Sequence, residues 1–365
     1  MQYSPFRHAL SVFRKRNPVQ LTFFVTARCN AACPFCFYLS DKNPPAERRP
    51  ELSLDEIRRI SPSAGRLLWL AFSGGEIFLR EDIAEIAEVF YKNNRPSIIL
   101  FPTNGLMTGV ITEKTEDILK RCRKSTVAVK LSVEGPEDVH DSIRGRGSFR
   151  RTMETCAALR GLLDAYPNFE LGINTVFCSA NQDSMDEVIE LVKGLDGVRT
   201  HTVSLIRGEI ADAGLKEVDI EKYRRTADKL AAGLKKGTSA VYRFRGARIK
   251  AAQDILQRRL IYETALRNSQ MIPCYAGRLN VVLTESGDVY PCESFSMRLG
   301  NVRDGGYDIG AVLKSRKARD RIRSIRDNGC FCTHECYFMT NILFNPRVYP
   351  KLLKEYLQLR GRYDD

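Results

Sequence analysis

The chain has 365 residues, 43% apolar and 28% charged, the balance of a soluble globular protein long enough for more than one domain. No apolar run is long enough to span a bilayer, and residues 1–16 lack the apolar stretch and small-residue cleavage site of a secretory signal. A net charge of +13 favours an anionic partner (lipid, nucleic acid, acidic peptide or phosphorylated metabolite), or simply a solvated basic surface. Eleven cysteines, clustered rather than dispersed, indicate a reducing, cytoplasmic compartment and metal rather than a disulfide framework.

Residues 1–20 carry Arg7, Arg14, Lys15 and Arg16 and no acidic residue. Phe6, Leu10 and Phe13 recur at helical spacing, which predicts a short basic amphipathic helix, lying on a membrane surface or packed against the body of the protein. From there short apolar runs alternate with helical patterns. The strands are expected at 21–26, 67–73, 97–103, 127–133, 171–177 and 202–206. Between them, Ser53-Leu-Asp-Glu56 reads as a capping box opening a helix, and 81–91, 112–121, 149–163 and 183–193 are amphipathic. Six strand–helix units mean parallel pairing with right-handed crossovers, too few for a closed eight-unit barrel. The expected architecture is a partial, open (β/α)6 barrel over 21–215, followed by a helical bridge at 216–270 and a small cysteine-rich domain at 271–340. A basic helix is expected at 341–365.

The first strand runs into Cys29-Asn-Ala-Ala-Cys33-Pro-Phe-Cys36. Three thiolates this close on one loop suit a four-iron cluster with one iron left open. A zinc site usually closes with four ligands, and no fourth lies nearby. Three is odd for disulfides, and the spacing is too tight for two bridges. The loop resembles the signature of the radical S-adenosylmethionine (SAM) enzymes, Cys-x3-Cys-x-aromatic-Cys, with Phe35 in the aromatic place. The resemblance implies a 4Fe–4S cluster on Cys29, Cys33 and Cys36. Its open iron holds SAM, and an electron from it cleaves SAM to a 5′-deoxyadenosyl radical. It also implies the partial barrel as the core fold.

Parallel sheets place ligands at the carboxyl ends of their strands. Ser73-Gly74-Gly75-Glu76 stands there after the second strand. It resembles the family's Gly-Gly-Glu motif for the SAM amino group, with Ile77 where Pro is usual. Asn104 follows the third strand, in a turn that borders the SAM pocket in the family. Ser132, Glu134 and the run His140-Asp141-Ser-Ile-Arg144 follow the fourth. The resemblance implies SAM contacts by Ser132 and Arg144, around the ribose and the carboxylate. A surface ion pair of Arg144 with Asp141 is the other reading. Leu205, at the end of the sixth strand, falls where the family makes an adenine contact. Cys122 and Cys156 read as small core residues, and no chemistry is assigned to Cys178. The run Tyr242-Arg-Phe-Arg interleaves rings with charge but is too short to argue for RNA, and nucleic acid is not an expected partner.

The last third holds Cys274, a predicted hairpin, Cys292, then Cys330-Phe-Cys332-Thr-His334-Glu-Cys336. One further metal site is the economical reading, with zinc as the structural option. Cys-x12-Gly-x4-Cys resembles the opening of the auxiliary-cluster domain called SPASM and its short form, twitch. Two clusters need about seven cysteines and five are present, so one auxiliary 4Fe–4S cluster is expected. Cys274 and Cys292 would be ligands, completed by two of Cys330, Cys332 and Cys336, with the Cys-x3-Cys spacing favouring the latter two. Glu293 follows Cys292, where related sulfatase-maturing enzymes have an Asp proposed as the base. A raised carboxyl there could act as base, and a surface or paired Glu is the alternative.

Three functions remain open on these readings. The first is a radical SAM oxidoreductase acting on a small molecule or lipid, drawing electrons from a flavodoxin or ferredoxin and contacting the membrane peripherally through basic termini. The second is a peptide maturase making a cross-link or an epimerised residue, although only about 20 residues precede the first strand, leaving no room for a fused peptide-recognition domain. The third is a zinc-stabilised RNA- or membrane-binding protein.

Overall fold

The computed structural model describes residues 2–39 and 49–360. Met1 and residues 361–365, the outer ends of the two expected terminal segments, lie outside the described residues. Six strands appear where the apolar runs are: β1 Gln20–Thr26, β2 Trp69–Gly74, β3 Ile98–Thr103, β4 Thr126–Ser132, β5 Phe169–Phe177 and β6 Val198–Leu205. They are parallel and lie in sequence order from β1 to β6. The helices between them are α1 Leu54–Ile60, α2 Ile83–Asn94, α3 Thr108–Arg121, α4 Glu137–Arg144, α5 Ser148–Arg160 and α6 Met185–Gly194. The α1 capping box forms as read: the Ser53 hydroxyl accepts from the Glu56 amide and the Glu56 carboxylate accepts from the Ser53 amide.

Both faces of this sheet are covered, as parallel sheets require. Leu70 and Phe72 of β2 turn to the main core, where Phe72 stacks on Phe101 at 5.0 Å. Trp69 and Ala71, on the alternate face, pack with Ile98, Tyr242, Phe244, Ala247 and Met339. Tyr242, Phe244 and the first turn of α8 Ala247–Arg267 cover that side, while α7 Ile220–Lys236 sends Tyr223 and Leu230 to the main core. The expected bridge is thus built around a buried element. Helix α8 touches helices on several sides and buries Ala251, Ile255, Leu256, Leu260 and Ile261, which is why its sequence lacks a clear polar stripe.

The cysteine-rich segment contributes strands to the same sheet. β7 Asn280–Leu283 pairs in parallel with β1, then β8 Asp288–Tyr290 and β9 Gly300–Asn301 continue antiparallel, giving nine strands in one sheet. The hairpin was legible in the sequence, but its seat on β1 was not. Four helices finish the chain: α9 Ile309–Lys314, α10 Arg316–Asp327, α11 Glu335–Leu343 and α12 Tyr349–Gln358.

One expectation is corrected. Residues Pro5–Val12 form a 3₁₀ helix, not an α-helix. At three residues per turn, Phe6, Ala9 and Val12 share a face and Leu10 and Phe13 fall on another.

Glu56 also ties α1 to the hairpin region. Arg303 grips its carboxylate with two bonds of 2.6 and 2.9 Å and reaches the Ser286 carbonyl at 3.0 Å. Bonding to Arg303 is the main cause that holds the Glu56 carboxyl at about 2, below its ordinary 4.5, with burial acting the other way. A depressed carboxyl stabilises the fold fully above about 4.5, and that stability is lost as pH falls through about 2. Glu56→Gln is therefore expected to melt below the parent at neutral pH. The gap should narrow as the pH is taken below 4.5. A gap independent of pH would show that the ion pair does not contribute.

Candidate active site

The carboxyl end of β1 and the turn after β2 are locked together. The Gly75 amide donates to the Thr26 carbonyl at 2.8 Å and the Glu76 amide to the Arg28 carbonyl at 2.9 Å. This approach leaves no space for side chains. A Cβ on Gly74, where φ is +128°, would lie 2.3 Å from the Thr26 oxygen, and one on Gly75 would lie 2.1 Å from the Arg28 oxygen. The glycine pair therefore fixes where Cys29 begins the three-cysteine loop.

Glu76 is buried and holds the neighbouring loops. One carboxylate oxygen accepts from the Phe78 amide and the Thr103 hydroxyl, the other from the Asn104 amide at 2.8 Å. Burial raises its carboxyl, opposed by these bonds. Asn104 in turn donates to the Asn30 side chain at 2.7 Å, tying the β3 turn to the cysteine loop.

Arg144 closes the other side. Its partner is Glu134, not Asp141: two bonds of 2.9 and 2.6 Å reach one carboxylate oxygen, while the other accepts from the Val176 amide. Asp141 instead accepts from the Gly147 and Phe149 amides. The Arg144 guanidinium also reaches the Cys33 sulfur at 3.6 Å and lies 5.3 Å from the centre of the Phe35 ring. Burial works against its charge, but Glu134 and Cys33 outweigh this and keep it firmly protonated. The thiols of Cys29 and Cys33 are pushed up by burial, with Arg144 opposing this at Cys33.

These groups surround a cavity of about 500 Å³. Cys29, Cys33, Phe35, Cys36, Gly74, Gly75, Glu76, Asn104, Ser132 and Arg144 all line it. Leu205 does not: its side chain is in the main core, because it points to the helix-covered face of β6, and the next residue, Ile206, lines the cavity instead. Arg207 lines it too and was missed in the sequence. Its place just beyond β6, at the carboxyl edge, is the signal that would have found it.

Arg207 leads to the second cysteine site. It donates to the Glu293 carboxylate at 3.3 Å and lies 3.0 Å from His334 Nε2, which donates to the same carboxylate oxygen at 2.5 Å while His334 Nδ1 accepts from the Cys336 amide. The raised carboxyl expected at Glu293 is not found. Burial would raise it, but His334 and Arg207 hold it at about 2. Glu293 thus stands in a buried ion pair with Arg207 and His334, the alternative that the sequence leaves open beside a base. Around it, Cys274, Cys292 and Cys336 pack against Ala276, Ile325 and Tyr337. The Cys332 thiol is pushed up to about 12 by burial, and then by Cys274, Cys292 and Cys330. Cys336 is likewise raised to about 12 by burial, and Glu293 is the first charge acting on it. Cys122 and Cys156 are buried in the main core, whereas Cys178 is buried beside the cysteine loop, in a cluster with Phe35, Ile206 and Cys33.

The donor chemistry tests the metal directly. Tetrahedral zinc, with bonds of 2.3 Å, would bring its sulfurs to roughly 3.8 Å of one another. Among the described residues, the trio of potential ligand atoms within 4.8 Å of one another is Glu293, His334 and Cys336, and neither all-cysteine set is drawn in so tightly. Arg207 beside that trio opposes a cation. The three thiols of the cysteine loop, spread around a cavity, fit a four-iron cluster.

Residues 23–192 match the Radical SAM superfamily, and residues 274–337 match SPASM, an iron–sulfur cluster-binding domain. The chain belongs to the radical SAM superfamily, in the branch with a SPASM-type auxiliary-cluster domain. It is an enzyme whose cofactors are 4Fe–4S clusters and SAM, and the zinc-binding-protein reading falls with this. The AdoMet-dependent heme synthase of Methanosarcina barkeri is 27% identical over 299 residues, covering 79% of this chain and 80% of that protein. The mycofactocin maturase MftC of Mycobacterium ulcerans is 27% identical over 319 residues, covering 83% and 75%. The fold is similar to that of Streptococcus suis SuiB bound to S-adenosylmethionine, with TM-score 0.61, 15% identity and coverage of 87% and 71%. It is also similar to that of anSMEcpe with bound AdoMet, with TM-score 0.59, 16% identity and coverage of 93% and 96%. No described helix of this radical SAM enzyme is long and apolar enough to cross a membrane.

The glycine cradle carries a prediction. Gly75→Ala must push the Arg28 backbone away, at a cost of about 2–4 kcal/mol. The variant is expected to melt lower and to retain about half of the parent's iron after anaerobic reconstitution. Unchanged melting and iron content would show that the close approach is not required.

Proposed function

We propose that the enzyme is an oxidoreductase that abstracts hydrogen from a small-molecule or lipid-type substrate and uses one auxiliary 4Fe–4S cluster to oxidise or anchor it. The observation that carries this reading is Arg207. It lines the cysteine-loop cavity and is bonded to Glu293, next to Cys292, so one substrate would lie within reach of both sites.

On this reading Cys29, Cys33 and Cys36 hold the first cluster. Reduced, that cluster would supply the electron that cleaves bound SAM. Arg144, kept charged by Glu134, which takes its Nε and one Nη, lines the pocket and would offer its remaining guanidinium N–H groups to the SAM carboxylate. Ser132 and the Gly74–Gly75 backbone bound the rest of the pocket, Glu76 and Asn104 hold its loops in place, and Ile206 supplies an apolar wall. Phe35 packs under Arg144 and shields the loop from water. Cys274, Cys292 and Cys332 are three ligands of the auxiliary cluster, and the fourth is Cys330 or Cys336. The Arg207–Glu293–His334 set keeps opposite charges paired in the buried wall between the sites and orients the substrate side of Arg207. The electron donor is an acidic carrier such as a flavodoxin or ferredoxin, suited to a chain of net charge +13, and the enzyme works in the cytoplasm.

A second reading, peptide maturation by cross-linking or epimerisation, is favoured by the likeness to mycofactocin maturase. Both readings share the same test of cofactors. Anaerobic reconstitution should give about eight irons per chain, and dithionite with SAM should give 5′-deoxyadenosine. Cys29→Ala/Cys33→Ala/Cys36→Ala should keep about four irons and make none, whereas Cys274→Ala/Cys292→Ala should keep about four and still make it. Zinc without 5′-deoxyadenosine would overturn the proposal. The substrate class is read by which added fraction, small polar metabolites and lipids or a peptide pool, accelerates SAM cleavage. A response to peptide alone would establish the second reading.

A further inference from the structure

We propose that the end of the barrel opposite the cysteine loop is a docking site for an anionic phospholipid bilayer, with an apolar cavity that takes up a lipid chain. The proposal goes beyond the reaction and does not depend on the substrate.

A cavity of about 880 Å³ opens between the 3₁₀ helix Pro5–Val12 and α12. Its floor is Trp69 and Ile98, the first residues of β2 and β3, with Phe244 and Met339. These residues also form the apolar plug between the sheet and α8, which separates the cavity from the barrel interior. The cysteine loop lies at the other end of strands about six residues long, roughly 20 Å away. The two cavities therefore have different jobs.

The mouth of this cavity gathers the chain's exposed apolar side chains. Nine large ones are exposed among the described residues, and five of them are Phe6, Leu10, Phe13, Leu353 and Leu357. Phe6 and Leu353 line the cavity itself. Leu357 stands one turn beyond Leu353 on α12, Leu10 lies on the face of the 3₁₀ helix next to that of Phe6, and Phe13 follows directly after the helix. Leu10 and Phe13 keep about four-fifths of their surface in water (78% and 81%). Apolar clustering on this scale marks an interaction surface.

Charge decides the occupant. Arg347, Lys351 and Lys354 are exposed next to the lining residues Pro346, Pro350 and Leu353, Arg14 and Arg16 are exposed just after the 3₁₀ helix, and the structure gives none of the five a carboxylate partner among the described residues. Residues 2–19 contain no acid. Within 344–360 the one acidic residue is Glu355, buried and paired with Lys235 and Arg259. A second copy of this chain would set the same basic groups against themselves. A surface with anionic headgroups above hydrocarbon satisfies both halves: the basic rim takes the headgroups, the exposed leucines and phenylalanines enter the interface, and the cavity accepts a chain.

The test is flotation of the reconstituted holoenzyme with phosphatidylcholine vesicles, with and without phosphatidylglycerol. Binding is expected to be at least about tenfold stronger with phosphatidylglycerol and to weaken with salt. Leu10→Ser/Phe13→Ser/Leu357→Ser changes only exposed groups and should keep SAM cleavage while losing vesicle binding by about tenfold or more. Equal binding to both vesicles, or undiminished binding by the triple variant, would overturn the proposal. So would self-association in size-exclusion chromatography that the triple variant abolishes, since the occupant would then be a second copy.

Discussion

Two backbone hydrogen bonds, Gly75 to Thr26 and Glu76 to Arg28, set the distance at which the turn after β2 sits on the start of the cysteine loop. Only glycine tolerates that distance, because a Cβ at either position meets a carbonyl oxygen. Everything at the barrel mouth is referred to this contact. Glu76 follows it, accepts three hydrogen bonds and fixes the β3 turn, and Asn104 in that turn holds Asn30 of the loop. The carboxylate is thus chiefly a structural hub, and the cavity's shape depends on it.

The cysteine-rich segment is held to the barrel by strand pairing. With β7 hydrogen-bonded to β1, the strand that feeds the cysteine loop also carries the auxiliary hairpin. The Glu56–Arg303 pair reinforces the same junction from α1. Two cofactor sites built on adjacent strands of one sheet keep a constant separation, which a flexible linker would not provide. Between them lies buried charge. Arg207, Glu293 and His334 satisfy one another, which is how charged groups persist there at acceptable cost.

The two ends of the barrel differ in chemistry. The carboxyl end is polar, holding thiols, carboxylates and guanidinium groups, while the amino end is closed by aromatic and aliphatic side chains from β2, β3, α11 and the loop before α8. A parallel sheet imposes this polarity, since its turns carry ligands at one end and its helices return at the other.

Much of this was legible in the sequence. The six strands, the capping box at Ser53 and the hairpin followed from local patterns, because apolar periodicity and turn chemistry act over a few residues. The three-cysteine loop and the Gly-Gly-Glu turn were recognisable because the chemistry needs those residue types close together in the chain. Distant pairings were not legible. That Arg144 would choose Glu134 over Asp141, that Ile206 and not Leu205 would face the cavity, and that Glu293 would meet His334 and Arg207, all depend on how strands are rotated and which surfaces meet. The seat of β7 on β1 was decided in the same way, by sheet edges that no local pattern specifies. The sequence by itself determined which groups the chain has for chemistry. The tertiary structure decided their partners, because burial removes water and leaves each charged group only the neighbours that the fold brings to it.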